Sequence, residues 1–150
     1  MKKSILLIVI ALLGLQTYAQ QIDYSLDRGF IAEGYDVTEY FNNKAVEGKS
    51  SYVATHDGAK YKFVSQANLD KFKANPDKYV PLYGGYCAYA MAIKNKKVDP
   101  DGDNFKIQDG KVLLFYRNFA GNTRDKWEEK GPQKLKPVAD TNWEKIKYKK

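Results

Sequence analysis

The sequence predicts a single small α+β domain in which two antiparallel β-hairpins pack with several short helices. Two stretches of alternating apolar and polar residues are each interrupted by an Asp-Gly pair, at Asp57-Gly58 and at Asp109-Gly110, and this pattern is typical of hairpin turns. Helical patterns follow each hairpin instead of alternating with single strands, so an α+β fold is favoured over a βαβ arrangement.

The first residues have the pattern of a secretory signal peptide. Lys2 and Lys3 precede an apolar run at residues 5–15, and the small side chains of Thr17 and Ala19 fit a signal peptidase site. The run is about half of the roughly 20 residues that span a bilayer. We therefore expect export to the periplasm or the medium, with no stable membrane span after cleavage. The expected division of the chain is a signal peptide at residues 1–19, a polar lead-in at residues 20–33 and the folded domain at residues 34–147.

The chain is basic, with 25 Lys and Arg against 18 Asp and Glu and a formal net charge of +7. Much of the excess lies near the C-terminus, where a run of lysines is typical of a solvated face. For an exported chain we expect no nucleic-acid partner. An unidentified protein or small molecule is the expected partner.

The predicted elements of the N-terminal half follow the lead-in. A short helix begins at Asp36, which has Glu39 three residues later in capping-box spacing. The first hairpin is predicted at residues 51–65. Ser65 then caps a helix, which Asn75-Pro76 ends.

The C-terminal half has a helix, a second hairpin and two further helices. The helix is predicted at residues 86–94 and the hairpin at residues 105–116. The last two helices are predicted around residues 123–130 and 138–146, each carrying a tryptophan. The prolines at positions 132 and 137 are interpreted as part of the connection between them.

Cys87 is the only cysteine, and it lies in the segment Tyr83-Gly84-Gly85-Tyr86-Cys87-Ala88-Tyr89-Ala90-Met91. The paired glycines allow backbone conformations that a side chain would forbid. A lone cysteine in an exported protein cannot form an internal disulfide. Its thiol is therefore buried and inert, bridged to another molecule, or reactive or metal-bound. We expect the functional site in this segment.

Two soft sulfur atoms in this segment suggest a metal site. Cys87 and Met91 are four residues apart, so they share one face of a helix. Thiolate and thioether ligands together favour Cu(I), and His56, the only histidine, is a third candidate ligand. The alternative is ordinary packing, because Cys and Met are both common core residues.

The tyrosines of the segment suggest a ligand pocket. Tyr83, Gly84, Gly85, Tyr86 and Tyr89 could line a cavity with aromatic walls and a few polar groups. The same tyrosines could instead be core residues whose hydroxyls reach the surface. Both interpretations stay open from the sequence.

A thiol enzyme is the third possibility for the segment. Cys87 could be the nucleophile and His56 its base. The sequence offers neither a second cysteine nor a recognisable third residue to orient that base. We therefore expect a binding module and assign no catalytic residue.

Several ordered motifs resemble the YHS domain. One joins Tyr61-Lys62-Phe63-Val64-Ser65 to Asn75-Pro76-Asp77-Lys78-Tyr79. The opening Gly34-Tyr35-Asp36 and the block Tyr83-Gly84-Gly85-Tyr86-Cys87-Ala88 are similar to the exported bacterial branch of that family. The likeness covers about residues 34–146.

The resemblance implies metal handling, but with a different ligand set. Related domains in copper-pumping ATPases carry cysteines where this chain has Val64 and Asn68. A metal site would therefore have to be built around Cys87. We expect an exported binding module with Cu(I) as the leading ligand, held by Cys87, Met91 and His56. The alternative is an interaction or small-ligand module in which Cys87 is buried and inert.

Overall fold

The predicted α+β class is confirmed by the computed structural model, which describes residues 20–149. The predicted signal peptide lies outside the described residues. The strands are β1 (Leu26–Asp27), β2 (Phe30–Ile31), β3 (Lys49–His56), β4 (Ala59–Phe63), β5 (Asp101–Gln108), β6 (Lys111–Phe115), β7 (Arg117–Asn118) and β8 (Gly121–Asn122). The α-helices are α1 (Gln66–Ala74), α2 (Pro76–Tyr79), α3 (Ala88–Lys94), α4 (Thr123–Lys130) and α5 (Pro132–Ile146).

The first hairpin is part of a four-stranded sheet with the order β1-β2-β4-β3. Strands β3 and β4 pair antiparallel around Asp57-Gly58, where both residues have positive φ, as a tight hairpin turn requires. Strand β2 lies parallel to β4, with Phe30 opposite Lys60. Residues 20–33, the predicted polar lead-in, thus supply two strands, and Ile31 among them is fully buried.

The second hairpin, β5–β6, lies between two hydrophobic cores. Its turn at Asp109-Gly110 again has positive φ at both residues. The β6 side chains at positions 112 and 114 belong to the first core, and those at 113 and 115 belong to the second. Because successive side chains of a strand point to opposite faces, both faces of β6 are covered, and residues 112–115 are all buried.

Each core is built around one large aromatic side chain. In the first, Phe72 of α1 packs against Tyr61 and Phe63 of β4, with ring centroids 4.6 and 5.1 Å apart. In the second, Trp127 of α4 is fully buried, and its Nε1 donates a hydrogen bond of 2.9 Å to Gln108 Oε1. The second core joins α3, α4 and α5 to β6, and it supports the candidate site.

Two predicted helices before residue 95 differ from the structure. The helix after the paired glycines begins at Ala88, not at residue 86, because residues 82–85 form a 3-10 turn with positive φ at Tyr83, Gly84 and Gly85. The expected helix at Asp36 is a 3-10 turn, Glu39–Asn42. Within residues 20–149, no helix is both long enough and apolar enough to cross a bilayer.

The last helix is longer than predicted. It begins at Pro132 and runs through Pro137, so these prolines do not form a connection. Pro132 occupies the first turn, where the missing N–H has no helical partner to lose. Pro137 does remove one helical hydrogen bond, but Leu135 and Ala139 on either side are buried in the second core.

Candidate binding groove

A groove of about 390 Å³ lies beside Cys87, between α3 and the β7–β8 hairpin, with the first turns of α4 completing it. Its walls are mostly apolar or aromatic, from Tyr89, Ala90, Ile93, Val98, Tyr116 and Ala120. Ligand sites in proteins usually combine such walls with a few polar groups. The groove is therefore the most site-like feature near the predicted segment.

Cys87 is fixed at the floor of this groove by its own backbone. It directly precedes α3, its N–H donates to Val98 O (2.9 Å), and its carbonyl accepts from Met91 N (3.0 Å). It also forms a parallel bridge with Leu114 of β6. The residue is fully buried, so its thiol can neither turn to solvent nor leave the junction of helix and strand without disturbing both.

Thr123 and Tyr116 surround the sulfur of Cys87 with hydrogen-bonding groups. Thr123 Oγ1 donates its one hydrogen to Tyr116 O (2.6 Å) and accepts from Tyr116 N (3.0 Å). Cys87 Sγ lies 3.3 Å from the same oxygen. Tyr116 N–H also donates to Cys87 Sγ (3.4 Å). These contacts tie Cys87, and with it the start of α3, to the start of α4.

We expect this thiol to be unreactive in the folded protein. In native buffer, 5,5′-dithiobis(2-nitrobenzoate) should modify Cys87 at least about 100-fold more slowly than in urea, because the buried sulfur is reached only when the structure opens. The measurement is absorbance at 412 nm against time. A matched positive control is Lys126→Cys in a Cys87→Ala background, which places one thiol at the exposed rim of the groove. Equal rates for Cys87 and the rim thiol would contradict the assignment.

Met91 and His56 lie in other surroundings. Met91 is fully buried in the second core, whereas Cys87 lines the groove. His56 is the last residue of β3; its ring packs edge-on against Phe72, 6.0 Å between centroids, and its Nε2 lies 3.5 Å from Asp57 Oδ2. Cys87 and Met91 are thus one helical turn apart, whereas His56 lines a different cavity from Cys87. Within residues 20–149, no cluster of three or more His, Cys, Asp or Glu side chains could hold a metal ion.

The five residues predicted to line one pocket are divided among different surroundings. Tyr89 lines the groove. Tyr83 and Gly84 instead line a second cavity, which also includes His56. Gly85 packs against Ile31, and Tyr86 packs against the indole ring of α5, 6.5 Å between centroids.

The tyrosine hydroxyls of the segment have structural partners. Tyr83 donates a hydrogen bond of 2.8 Å to Asp140 Oδ1 on α5, and burial, together with this carboxylate, raises the pKa of Tyr83. Burial also raises the pKa of Tyr86 to about 12. Both phenols therefore stay neutral at any physiological pH, and they anchor the segment to α5.

Two lysines give the groove its charge. Lys94, at the end of α3, and Lys126, on α4, both line it. Neither makes an ion pair or hydrogen bond within residues 20–149, and no carboxylate is among the groove's lining residues. The sequence pattern did not single out these lysines, because the lining residues come from segments up to 39 positions apart.

Val64 and Asn68, where the resemblance implies cysteines, belong to a hydrogen-bonded cluster around Asp36. Val64 N–H and Asn68 Nδ2 each donate to Asp36 Oδ2, both at 2.8 Å. Thr38 donates to Asp36 Oδ1 through its N–H and its hydroxyl, at 2.9 and 2.8 Å. Asn68 also donates to Glu39 (2.8 Å), which lowers the pKa of Glu39. Asp36 is thus a fully buried carboxylate that accepts four hydrogen bonds.

Comparison with known protein families supports the resemblance to the YHS domain in the first half of the folded domain. The family model described as YHS domain matches residues 37–83. No curated protein and no solved structure gives a significant match. The matched range contains the Asp36 partners Val64 and Asn68 and ends before Cys87, so the groove is built by the chain that follows it. Residues 37–83 of the chain therefore match the YHS domain model.

Proposed function

We propose that this protein is an exported, non-catalytic binding module whose groove takes a small amphiphile with an apolar body and one anionic group. The observation that carries the proposal is the groove itself, which has apolar walls, two lysines and no carboxylate among its lining residues. Anionic ligands are selected by such a charge arrangement. The apolar walls would hold the rest of the ligand.

The size of the groove limits the ligand. Its volume of about 390 Å³ lies near the lower end of the roughly 300–1,000 Å³ that is usual for small-molecule sites. Each methylene group transferred from water to apolar walls contributes about 0.8 kcal/mol. A medium-chain carboxylate or an aromatic sulfonate would therefore bind through its body, while Lys94 and Lys126 orient its head group.

The burial of both sulfur atoms favours such a ligand over Cu(I). Cys87 and Met91 are fully buried, Cys87 Sγ contacts Thr123 Oγ1 and Tyr116 N, and Met91 packs in the second core. This burial supports the alternative interpretation, in which Cys87 is buried and inert. Copper binding stays a prediction from the sequence, made from the soft sulfur atoms of Cys87 and Met91, and it can be tested on the same protein.

The binding test uses 1-anilinonaphthalene-8-sulfonate, an aromatic sulfonate whose fluorescence rises in apolar surroundings. We expect saturable binding, displaced by decanoate and much less by 1-decanol, because only the acid can pair with the lysines. Replacing both Lys94 and Lys126 by glutamine should weaken decanoate binding by about tenfold, on the order of 0.7 kcal/mol for each partly exposed charge.

Intact mass of the purified protein shows whether residues 1–19 have been removed.

The matched control replaces Lys73 and Lys134, two exposed lysines outside the groove, by glutamine. This variant has the same net charge as the groove variant and should bind decanoate as the unchanged protein does. Equal loss in both variants, or displacement by decanol as strong as by decanoate, would rule out the groove. An anaerobic Cu(I) titration of the unchanged protein and of Cys87→Ser completes the test. Tight copper binding that depends on Cys87 would favour the metal-binding interpretation.

A further inference from the structure

Phe119 is the most exposed large apolar side chain in residues 20–149, with a relative exposure of 103%. It lies at the tip of the β7–β8 hairpin, whose two short strands pair antiparallel. The turn is held by Asn118 Oδ1, which accepts a hydrogen bond of 2.9 Å from Ala120 N–H. The fold thus presents an aromatic ring that adds nothing to either core.

Other exposed apolar side chains lie around the same groove. Ile93 and Tyr116, exposed by 46% and 36%, both line it, and Phe119 lies between the lining residues Asn118 and Ala120. The remaining large exposed apolar side chains of residues 20–149 are scattered over separate parts of the fold, at Leu26, Val46, Val138 and Tyr148. Scattered exposed residues are ordinary on a protein surface, whereas exposed apolar side chains gathered at one place with a polar rim are typical of interaction surfaces.

The charge around this group indicates what the surface contacts. Lys94 and Lys126 lie at the same groove and have no carboxylate partner within residues 20–149. Arg117, at the base of the hairpin, is paired with Asp103, so it adds no unpaired positive charge to this surface. Aromatic and aliphatic side chains beside unpaired lysines are typical of proteins that lie on anionic membranes.

We propose that the face formed by Phe119, Ile93, Tyr116, Lys94 and Lys126 docks onto an anionic lipid bilayer. Phe119 enters the boundary between head groups and acyl chains, and the two lysines contact lipid phosphates. This inference goes beyond the groove's ligand and stands without it. Docking would also place the groove at the surface where amphiphiles are concentrated.

The test is flotation of the full chain, as purified from its expression host, with large unilamellar vesicles. Vesicles of equal parts phosphatidylglycerol and phosphatidylcholine should bind the protein, and vesicles of phosphatidylcholine alone should bind it at least about fivefold more weakly. Phe119→Ser should lower binding to the anionic vesicles by about fivefold or more. Glutamine at both Lys94 and Lys126 should lower it by roughly tenfold.

The matched control is Val138→Ser, since Val138 on α5 is also an exposed apolar residue, at 45%. It should bind the anionic vesicles as the unchanged protein does. Circular dichroism checks that each variant is folded, and only variants with the same N-terminus, as measured by intact mass, are compared. Phe119→Trp adds an independent readout, because indole emission should shift to the blue on anionic vesicles alone.

Three results would overturn the proposal. They are unchanged vesicle binding of Phe119→Ser, equal binding to neutral and anionic vesicles, and a dimer in analytical ultracentrifugation that Phe119→Ser abolishes. The last would assign the face to a second copy of the chain. Dye displacement by decanoate is measured without vesicles, so failure of the docking surface and failure of the groove are separate results.

Discussion

Replacement of Asp36 by alanine is expected to destabilise the protein by at least about 3 kcal/mol. The carboxylate is fully buried and accepts hydrogen bonds from Thr38, Val64 and Asn68. Its removal leaves several buried donors without partners, and each costs about 1–3 kcal/mol. Urea unfolding followed by far-ultraviolet circular dichroism measures the change.

A matched control for Asp36 is Asp70→Ala. Asp70 accepts one exposed hydrogen bond, from Gln66 within α1, so its loss should cost only about 0.5 kcal/mol or less. Asp36→Asn is a second probe. The asparagine amide keeps the shape of the carboxylate, but its NH2 group replaces one acceptor oxygen and would face the N–H and O–H donors of the cluster. We expect this variant also to be strongly destabilised. Stability of Asp36→Ala within 1 kcal/mol of the unchanged protein would refute the role assigned to the cluster.

The Asp36 cluster joins parts of the chain that are far apart in sequence. Val64 and Asn68 are separated from Asp36 by about 30 residues in the chain, yet both donate to one oxygen of its carboxylate. The carboxylate thus connects these two positions, and the cluster is a structural one.

Local signals in the sequence were sufficient for most of the elements. The Asp-Gly turns, including Asp109-Gly110, lie where they were predicted, because positive φ is a property of the turn residues themselves. Ser65 caps α1, and its hydroxyl accepts from Asn68 N (3.2 Å). Helix α4 has the predicted bounds, Thr123–Lys130.

Contacts between distant residues account for the elements that were not predicted. Strand β2 is short, and it is held in the sheet by pairing with β4, 30 residues later in the chain. Helix α5 contains Pro137 because its neighbours Leu135 and Ala139 are buried, and tertiary burial outweighs local preference. Neither feature has a signal within a few residues.

The candidate site was predicted in part. The sequence singled out Cys87 as unusual, and the structure places it at the floor of a groove. Its partner Thr123 is 36 residues away, so the sequence could not distinguish a buried, hydrogen-bonded sulfur from a metal ligand. The one local signal for the groove face was an aromatic residue, Phe119, in a turn between Asn118 and Gly121.

Replacement of Gly84 by alanine should destabilise the protein by about 3 kcal/mol or more. Gly84 has φ +61°, and a methyl group there would lie 2.7 Å from Asp23 O and 2.7 Å from Trp143 Cη2. Gly84 O also accepts a hydrogen bond from Ser25 N (2.9 Å). The added carbon would therefore push apart the N-terminal residues, the 3-10 turn and α5, which is a large effect for one methyl group.

The matched control for Gly84 is Gly110→Ala in the β5–β6 turn. Gly110 has a similar φ, +73°, but nothing lies within 4 Å of an added carbon there. Alanine at position 110 thus carries only the cost of the left-handed conformation, roughly 1–2 kcal/mol. The difference between the two variants in thermal or urea unfolding isolates the steric term. If both lose the same stability, the paired glycines are needed for backbone conformation alone, and the close contact with Trp143 can relax.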